Sequence, residues 1–278
     1  MNVLREQADL LGEQAAALPD VDPQRPSAAR IYNFLLGGRH NFAADRRAAV
    51  AARSAMPELS AILRLNRQFM DEAVRLAAGA GIDQFLDLGC GIPGTGTGYD
   101  TARRLLPGSR IVGVDLEPVA FVHGRRRAAS DPDADVFYAD LLDAGAVLGS
   151  QPVRGLIALD RPVCLLLVSV AHFIPDTDRL TAALAAYRAA VAPGSLLALT
   201  HACRKRTSPE VEQVRRVYNN ATAPMAARDA DATAALFGDW PLLAPGLRTF
   251  GEWCSTPGRR RESEVAESAF LAGVARKP

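Results

Sequence analysis

Phe85-Leu86-Asp87-Leu88-Gly89-Cys90-Gly91 is the stretch on which the reading of this chain turns. Apolar residues around a single carboxylate describe a buried strand that ends in an acid, and the glycines that follow make a loop too tight for side chains. A second strand, Arg110-Ile111-Val112-Gly113-Val114-Asp115, finishes on its own carboxylate. Two such ends lie side by side in a parallel sheet. The crevice beyond the carboxyl ends of the strands is where open α/β sheets bind nucleosides.

Working outward, β-rich runs recur at 84–88, 110–114, 135–138, 162–168, 195–200, more weakly at 247–253, and at 269–275, with helical stretches between most of them. That alternation predicts an α/β fold with a doubly wound, Rossmann-like and mostly parallel sheet. Upstream, residues 1–26 read as a loosely held, proline-punctuated arm. Ser27 is placed to cap a helix over 28–36 stopped by Gly37-Gly38, and helices over 43–55 and 58–78 follow. The expected organisation is an arm and helical segment over 1–80 packing on a core domain over 81–278. Two helices within 204–240 are expected to cover a substrate pocket.

Composition narrows the class. The net charge of the 278 residues is +1, so no overall field draws the chain to nucleic acid or anionic lipid. The clusters Arg125-Arg126-Arg127, Arg204-Lys205-Arg206 and Arg259-Arg260-Arg261 are short, with acids nearby, and read as solvated surface. Cys90, Cys164, Cys203 and Cys254 are scattered, which suggests neither a disulfide framework nor a metal site. The first residues lack a signal-type apolar core, and the longest apolar run, 163–171, is too short to span a bilayer. A reduced, cytoplasmic protein without nucleic-acid or membrane partners is the expectation.

Gly89-Cys90-Gly91-Ile92-Pro93-Gly94 satisfies G-x-G-x-x-G, but Asp87 at the lip of the loop repels a pyrophosphate and attracts an ammonium. Thr95-Gly96-Thr97-Gly98 delays the next helix, so its N-terminal amides are less clearly aimed at a phosphate. A nucleoside with an amino-acid head suits the loop better, and S-adenosylmethionine is such a molecule. Asp115 lies about 24 residues beyond Gly91, where the ribose-binding acid belongs. Accepting both ribose hydroxyls is worth about 1.5–3 kcal/mol per charge-assisted bond. Glu117 can share or replace that role. Asp140 either accepts from the adenine amino group, with Leu141 against the ring, or caps a helix over 141–148. The fourth strand ends in Val168-Ser169-Val170-Ala171-His172-Phe173, facing the reacting groups. His172 is the general-base candidate; the alternative is a histidine bonded locally and packed under the cofactor. His201 and His123 are weaker candidates.

With those residues in view, the chain resembles a class I S-adenosylmethionine-dependent methyltransferase, and within that class an actinobacterial family formerly carried as a domain of unknown function. The resemblance runs from about Pro26 to the end of the chain. It rests on 25–45 (Arg-Pro-Ser-Ala-Ala-Arg-Ile-Tyr-Asn-Phe-Leu-Leu-Gly-Gly-Arg-His-Asn-Phe-Ala-Ala-Asp), 64–69, Asp-Leu-Gly-Cys-Gly at 87–91, Val-Asp-Leu-Glu-Pro at 114–118, Ala-Asp-Leu at 139–141, 167–176 and 272–277. It implies a seven-stranded sheet with an antiparallel last strand and a helical N-terminal segment near the cofactor. It carries cofactor roles onto Asp87, Gly89, Gly91, Asp115, Asp140, Leu141 and Ser169; Leu116 and Glu117, next to Asp115, are read as cofactor-binding with them. Tyr32 and Arg67 would close over the methionine end. Asn33, Arg39 and His40 depart from the family pattern, in which Asp, Lys and Asp are usual.

The implied reaction is methyl transfer by in-line displacement to a small-molecule acceptor. If the acceptor must lose a proton, His172 is the first candidate base and Tyr32 the second. A non-catalytic cofactor-binding regulator is the alternative, and an NAD-dependent oxidoreductase is disfavoured by Asp87. The acceptor and the oligomeric state do not follow from these residues.

Overall fold

The computed structural model describes residues 18–94, 98–203, 209–254 and 262–278. Three helices come first: α1 (Ala28–Leu35), α2 (Ala43–Ala55) and α3 (Leu59–Gly79). Then β1 (Gln84–Leu88), α4 (Gly98–Leu105), β2 (Arg110–Asp115), α5 (Pro118–Ala128) and β3 (Ala134–Tyr138) alternate. Next come α6 (Ala144–Gly149), α7 (Gln151–Leu156), β4 (Cys164–Leu167), a single 3₁₀ turn (Ala171–Phe173), α8 (Thr177–Ala190) and β5 (Leu196–Ala202). The chain continues through α9 (Pro209–Asn219), α10 (Ala230–Ala235), β6 (Arg248–Thr249), α11 (Phe250–Trp253), α12 (Glu264–Ser268) and β7 (Phe270–Arg276).

One seven-stranded sheet results, in the order β3-β2-β1-β4-β5-β7-β6. The pairs among β1 to β5 are parallel, and β7 runs antiparallel to both β5 and β6. The strand order reverses at β1, which has β2 on one side and β4 on the other, so the crevice opens at the end that carries Asp87. The register opposes Asp87 to Gly113 and Asp115 to Tyr138.

Both faces of the sheet are buried, and successive residues alternate between them. Phe85, Leu166, Leu196 and Ala198 face one cluster; Leu86, Leu88, Leu165, Leu167, Leu197 and Leu199 face the other. Helices α5 to α8 cover the second face. The first is covered chiefly by the N-terminal segment. Ile62, Leu65, Phe69, Ala73 and Ala77 recur three or four residues apart on α3 and are all but completely buried. The helical segment is therefore a layer of this core.

Several local expectations change on contact with the backbone. The sixth run is a strand only at Arg248–Thr249, because Thr249-Phe-Gly-Glu252 is a capping box that starts a helix. The Thr249 N–H and hydroxyl both donate to Glu252 Oε2, at 2.9 and 2.8 Å. The helix expected over 141–148 opens at Ala144, capped by Asp143, which accepts from the Ala146 N–H. Ser27 stands at the N-cap of α1 without a side-chain cap bond. α9 packs on α2, while the turn after α10 (Leu236, Phe237) joins the opposite layer; what lines the cavity is the link between α9 and α10, Thr222 and Ala223. The arm before residue 18 and the clusters at 204–206 and 259–261 lie outside the described residues. In the remaining basic cluster Arg125 pairs with Asp135 and Arg127 with Asp100. The four cysteines are free thiols. No helix of the described residues is long and apolar enough to cross a membrane.

Candidate active site

The glycine loop closes on β2. Gly89 and Cys90 both donate to the Val114 carbonyl, at 2.8 and 3.1 Å. Gly89 has φ +85°, and a Cβ there would sit 2.5 Å from Val170, so only glycine fits where β4's continuation crosses. The Gly91 N–H donates to Asp115 Oδ2 at 2.7 Å and the Glu117 N–H to Asp115 Oδ1 at 2.8 Å. Asp115 thus ties two strand ends together and keeps accepting capacity on each oxygen. Burial raises its pKa to about 6 against the pull of those N–H donors.

Asp87 is held differently. Its Oδ1 is buried with no hydrogen-bond partner, and burial raises its pKa to about 7 although the Arg67 positive charge opposes the rise. Arg67 places its guanidinium 5.2 Å from the centre of the Tyr32 ring and forms no ion pair among the described residues. A desolvated carboxylate oxygen without a donor, beside a guanidinium without an acceptor, is a mould for a zwitterionic amino-acid head.

A cavity of about 530 Å³ runs along the glycine loop and the β2 strand end, with Arg67 and Asp115 on its wall; Asp87 lines a second, smaller pocket that shares Arg67, Met70, Cys90 and Gly91 with it. Leu116 is 54% exposed and stands on its wall, an apolar side chain held open where a flat ring can lie. Leu141 is buried on the same wall, its carbonyl accepting from Tyr187 Oη at 2.8 Å. Asp140 turns the chain by accepting from the Leu142 N–H, and its other oxygen stays at the surface, 3.8 Å from Arg179. Ser169, also on the wall, has φ +64°. Such a conformation costs a non-glycine residue about 1–3 kcal/mol and is a mark of functional sites.

Glu117 is on the cavity wall, and its Oε1 accepts from the Val119 N–H at the start of α5 and pairs with Arg30 at 2.9 Å. The expectation at His172 meets a different arrangement, for the residue does not line the cavity. It is 2% exposed, packed between Phe173 and Phe270, with Nδ1 unpartnered, and burial drives its pKa well below the usual histidine value. Its neighbours Phe173 and Ile174 are the wall residues. His201 bonds the Ala202 carbonyl and Arg228, and His123 stacks on His40 at 3.6 Å. Tyr32 does line the cavity, its hydroxyl accepting from Asn66 and donating to the Leu63 carbonyl.

The residue that sequence reading missed is Arg30. It is 2% exposed and holds Asp45 and Glu117, each at 2.9 Å, together with the Arg25 carbonyl. Asp45 also accepts from the N–H groups of Ser27 and Phe42. This node fixes the arm, α1 and α2 to the start of α5. Arg25, Val21 and Ala29 thereby become cavity wall, and Thr222 donates to the Pro26 carbonyl across the seam. Its only sequence cue is an arginine beside Ile31 on the buried side of a helix; its partners are 15 and 87 residues away.

Acids at the ends of three adjacent parallel strands, a glycine loop after the first and an antiparallel β7 inserted beside β5 define the class I methyltransferase architecture. The sequence profile of the S-adenosyl methyltransferase family matches residues 14–278, and the chain belongs to that family. It is a methyltransferase that depends on S-adenosylmethionine. A proposed methyltransferase from Thermobifida fusca YX is 34% identical with a TM-score of 0.85, over 91% of this chain and 96% of that one. A DUF574 family protein from Streptomyces avermitilis MA-4680 is 31% identical with a TM-score of 0.86, over 92% and 99%. The N-methyltransferase NodS from Bradyrhizobium japonicum WM9, solved with S-adenosyl-L-homocysteine, shares the fold at 16% identity and a TM-score of 0.50, over 77% and 88%. No curated protein matches the chain.

Proposed function

We propose that this methyltransferase acts on a small-molecule acceptor inside the cavity just described. Asp87 would hold the ammonium of S-adenosylmethionine and Arg67 its carboxylate, Asp115 the ribose hydroxyls, Asp140 the adenine amino group, and Leu116 and Leu141 the faces of the ring. Once bound, the cofactor supplies an electrophilic methyl group on a sulfonium, open to in-line displacement by the acceptor's lone pair. The work of the chain is positioning, for which about 7–11 kcal/mol is available in favourable cases. Phe173, Ile174 and Val21 make part of the wall apolar, and an apolar surrounding favours a reaction that neutralises the sulfonium. His172 is withdrawn from proton transfer by its burial. Tyr32, whose ring is on the wall, is then the remaining candidate for an acceptor that must lose a proton.

The observation that carries this reading is the cavity itself. Its volume of about 530 Å³ falls in the range of small-molecule sites, roughly 300–1,000 Å³. Its walls come from the arm, α1, α3 and the 222–223 link as well as the strand ends. The test is transfer of labelled methyl from S-adenosylmethionine into a cell extract, followed by size separation. Label in the low-mass fraction is expected. Label in macromolecules would overturn the choice of acceptor.

A further inference from the structure

Four residues from four parts of the chain form one directional run of hydrogen bonds beside the cavity. The Ser169 N–H donates to Thr200 Oγ1 at 2.8 Å, and Thr200 Oγ1 donates to Asn66 Oδ1 at 2.8 Å. Asn66 Nδ2 then donates to Tyr32 Oη at 3.2 Å, and the Tyr32 hydroxyl ends the run on the Leu63 carbonyl at 3.4 Å. Thr200 is fully buried and Asn66 is 2% exposed.

A backbone N–H only donates, so Thr200 accepts from Ser169, and its single proton goes to Asn66 Oδ1. The Asn66 amide accordingly has its oxygen toward β5 and its nitrogen toward α1. Both ends of the run are cavity wall: Ser169 in its left-handed conformation, and the ring of Tyr32 with Arg67 against its face. A serine stays at positive φ only where its surroundings over-determine it. Buried networks of this kind stiffen a site when every member is satisfied.

We infer that Thr200 is a positioning residue, through which, by way of the wall residue Asn66, the Ser169 turn and the Tyr32 ring are held as one unit across the cavity. Thr200 is not part of the cavity wall and acts on the cofactor only through Ser169 and Asn66. The inference rests on the cavity accepting S-adenosylmethionine.

Calorimetry with S-adenosylhomocysteine tests it, on the full chain and on Thr200→Val, Thr200→Ser, Tyr32→Phe and the double variant Thr200→Val/Tyr32→Phe. Valine keeps the shape of threonine and ends the run; serine keeps the hydroxyl. Thr200→Val should bind about tenfold more weakly, as expected for one buried bond lost. Thr200→Ser should stay within about threefold of the parent. Tyr32→Phe should weaken binding in the parent and add little once Thr200 is valine, the non-additivity of residues that act as a unit. Parent-like affinity in Thr200→Val, a serine variant as weak as the valine one, or independent effects of Thr200 and Tyr32 would each overturn the inference. Should Thr200→Val fail to fold, Asn66→Leu takes its place, since it leaves no group to bond either Thr200 or Tyr32; parent-like affinity there would overturn the inference equally. A parent chain that fails to bind S-adenosylhomocysteine would instead remove the cofactor assignment.

Discussion

Arg30 Nη1 and Glu117 Oε1 meet at 2.9 Å across the seam between the N-terminal helices and the β2 strand end, and Asp45 takes the Nε of the same guanidinium at 2.9 Å. One buried cation therefore serves two acids. Replacing it with an apolar residue of similar length strands both. Arg30→Met is expected to lower stability by about 3–5 kcal/mol, the cost of breaking a buried ion pair from one side. Urea denaturation followed by circular dichroism measures it, and a loss under about 1 kcal/mol would show that the node is ornamental.

Asp115 is the acid on which ribose binding depends most directly. Asp115→Ala removes the acceptor for the ribose and also the clasp between Gly91 and Glu117. Affinity for S-adenosylhomocysteine should fall at least about tenfold, more than one charge-assisted bond being lost. Unchanged affinity in a titration would mean the sugar lies elsewhere.

The two buried acids also set a pH dependence. Both carboxyls have an ordinary value of 3.8, whereas in the folded chain Asp115 titrates at about 6 and Asp87 at about 7. The unfolded chain gives up these protons first, so between about pH 4 and 7 the folded state holds more of them, and raising the pH lowers stability through that window. Binding should move the other way, because a ligand ammonium favours ionised Asp87. S-adenosylhomocysteine affinity is expected to rise from pH 5.5 to a plateau above about 7, and Asp87→Asn to flatten the rise. An affinity that is level across that span in the parent protein would remove Asp87 from the ammonium site.

His172 gives a contrasting expectation. Its ring sits among Phe173, Phe270 and His201, with an unsatisfied Nδ1. His172→Phe exchanges an aromatic side chain for another and discards the orphaned nitrogen, so stability should change by less than about 1.5 kcal/mol. S-adenosylhomocysteine affinity should stay within about twofold. A tenfold loss of affinity would return the histidine to the site.

Strand-terminal acids and tight glycines were legible in the sequence because strand period and turn chemistry are local. Asp87, Gly89, Gly91, Asp115 and Asp140 lie where their own segments put them. What was not legible is long-range. Nothing near Glu117 announces an arginine from α1, and nothing near His172 says that its ring turns toward Phe270 and away from the cavity. Thr249 and Glu252 are the exception. Their capping box is a local signal, and the β-rich letters around it, Leu247 to Phe250, outweighed it.

Arg228 is 5% exposed, and its guanidinium is shared among the carbonyls of Ala171 and Ile174, the Thr177 hydroxyl and His201 Nε2. A guanidinium has no lone pair to offer, so the nitrogen facing it must keep its own, and the proton of His201 resides on Nδ1, pointing at the Ala202 carbonyl. With burial and the neighbouring cation holding its titration down near pH 4, the imidazole stays in a single tautomer above that pH. The histidine at the end of β5 is consequently a permanent dipole, and its ring nitrogens should give one invariant pair of ¹⁵N resonances from pH 5.5 to 8.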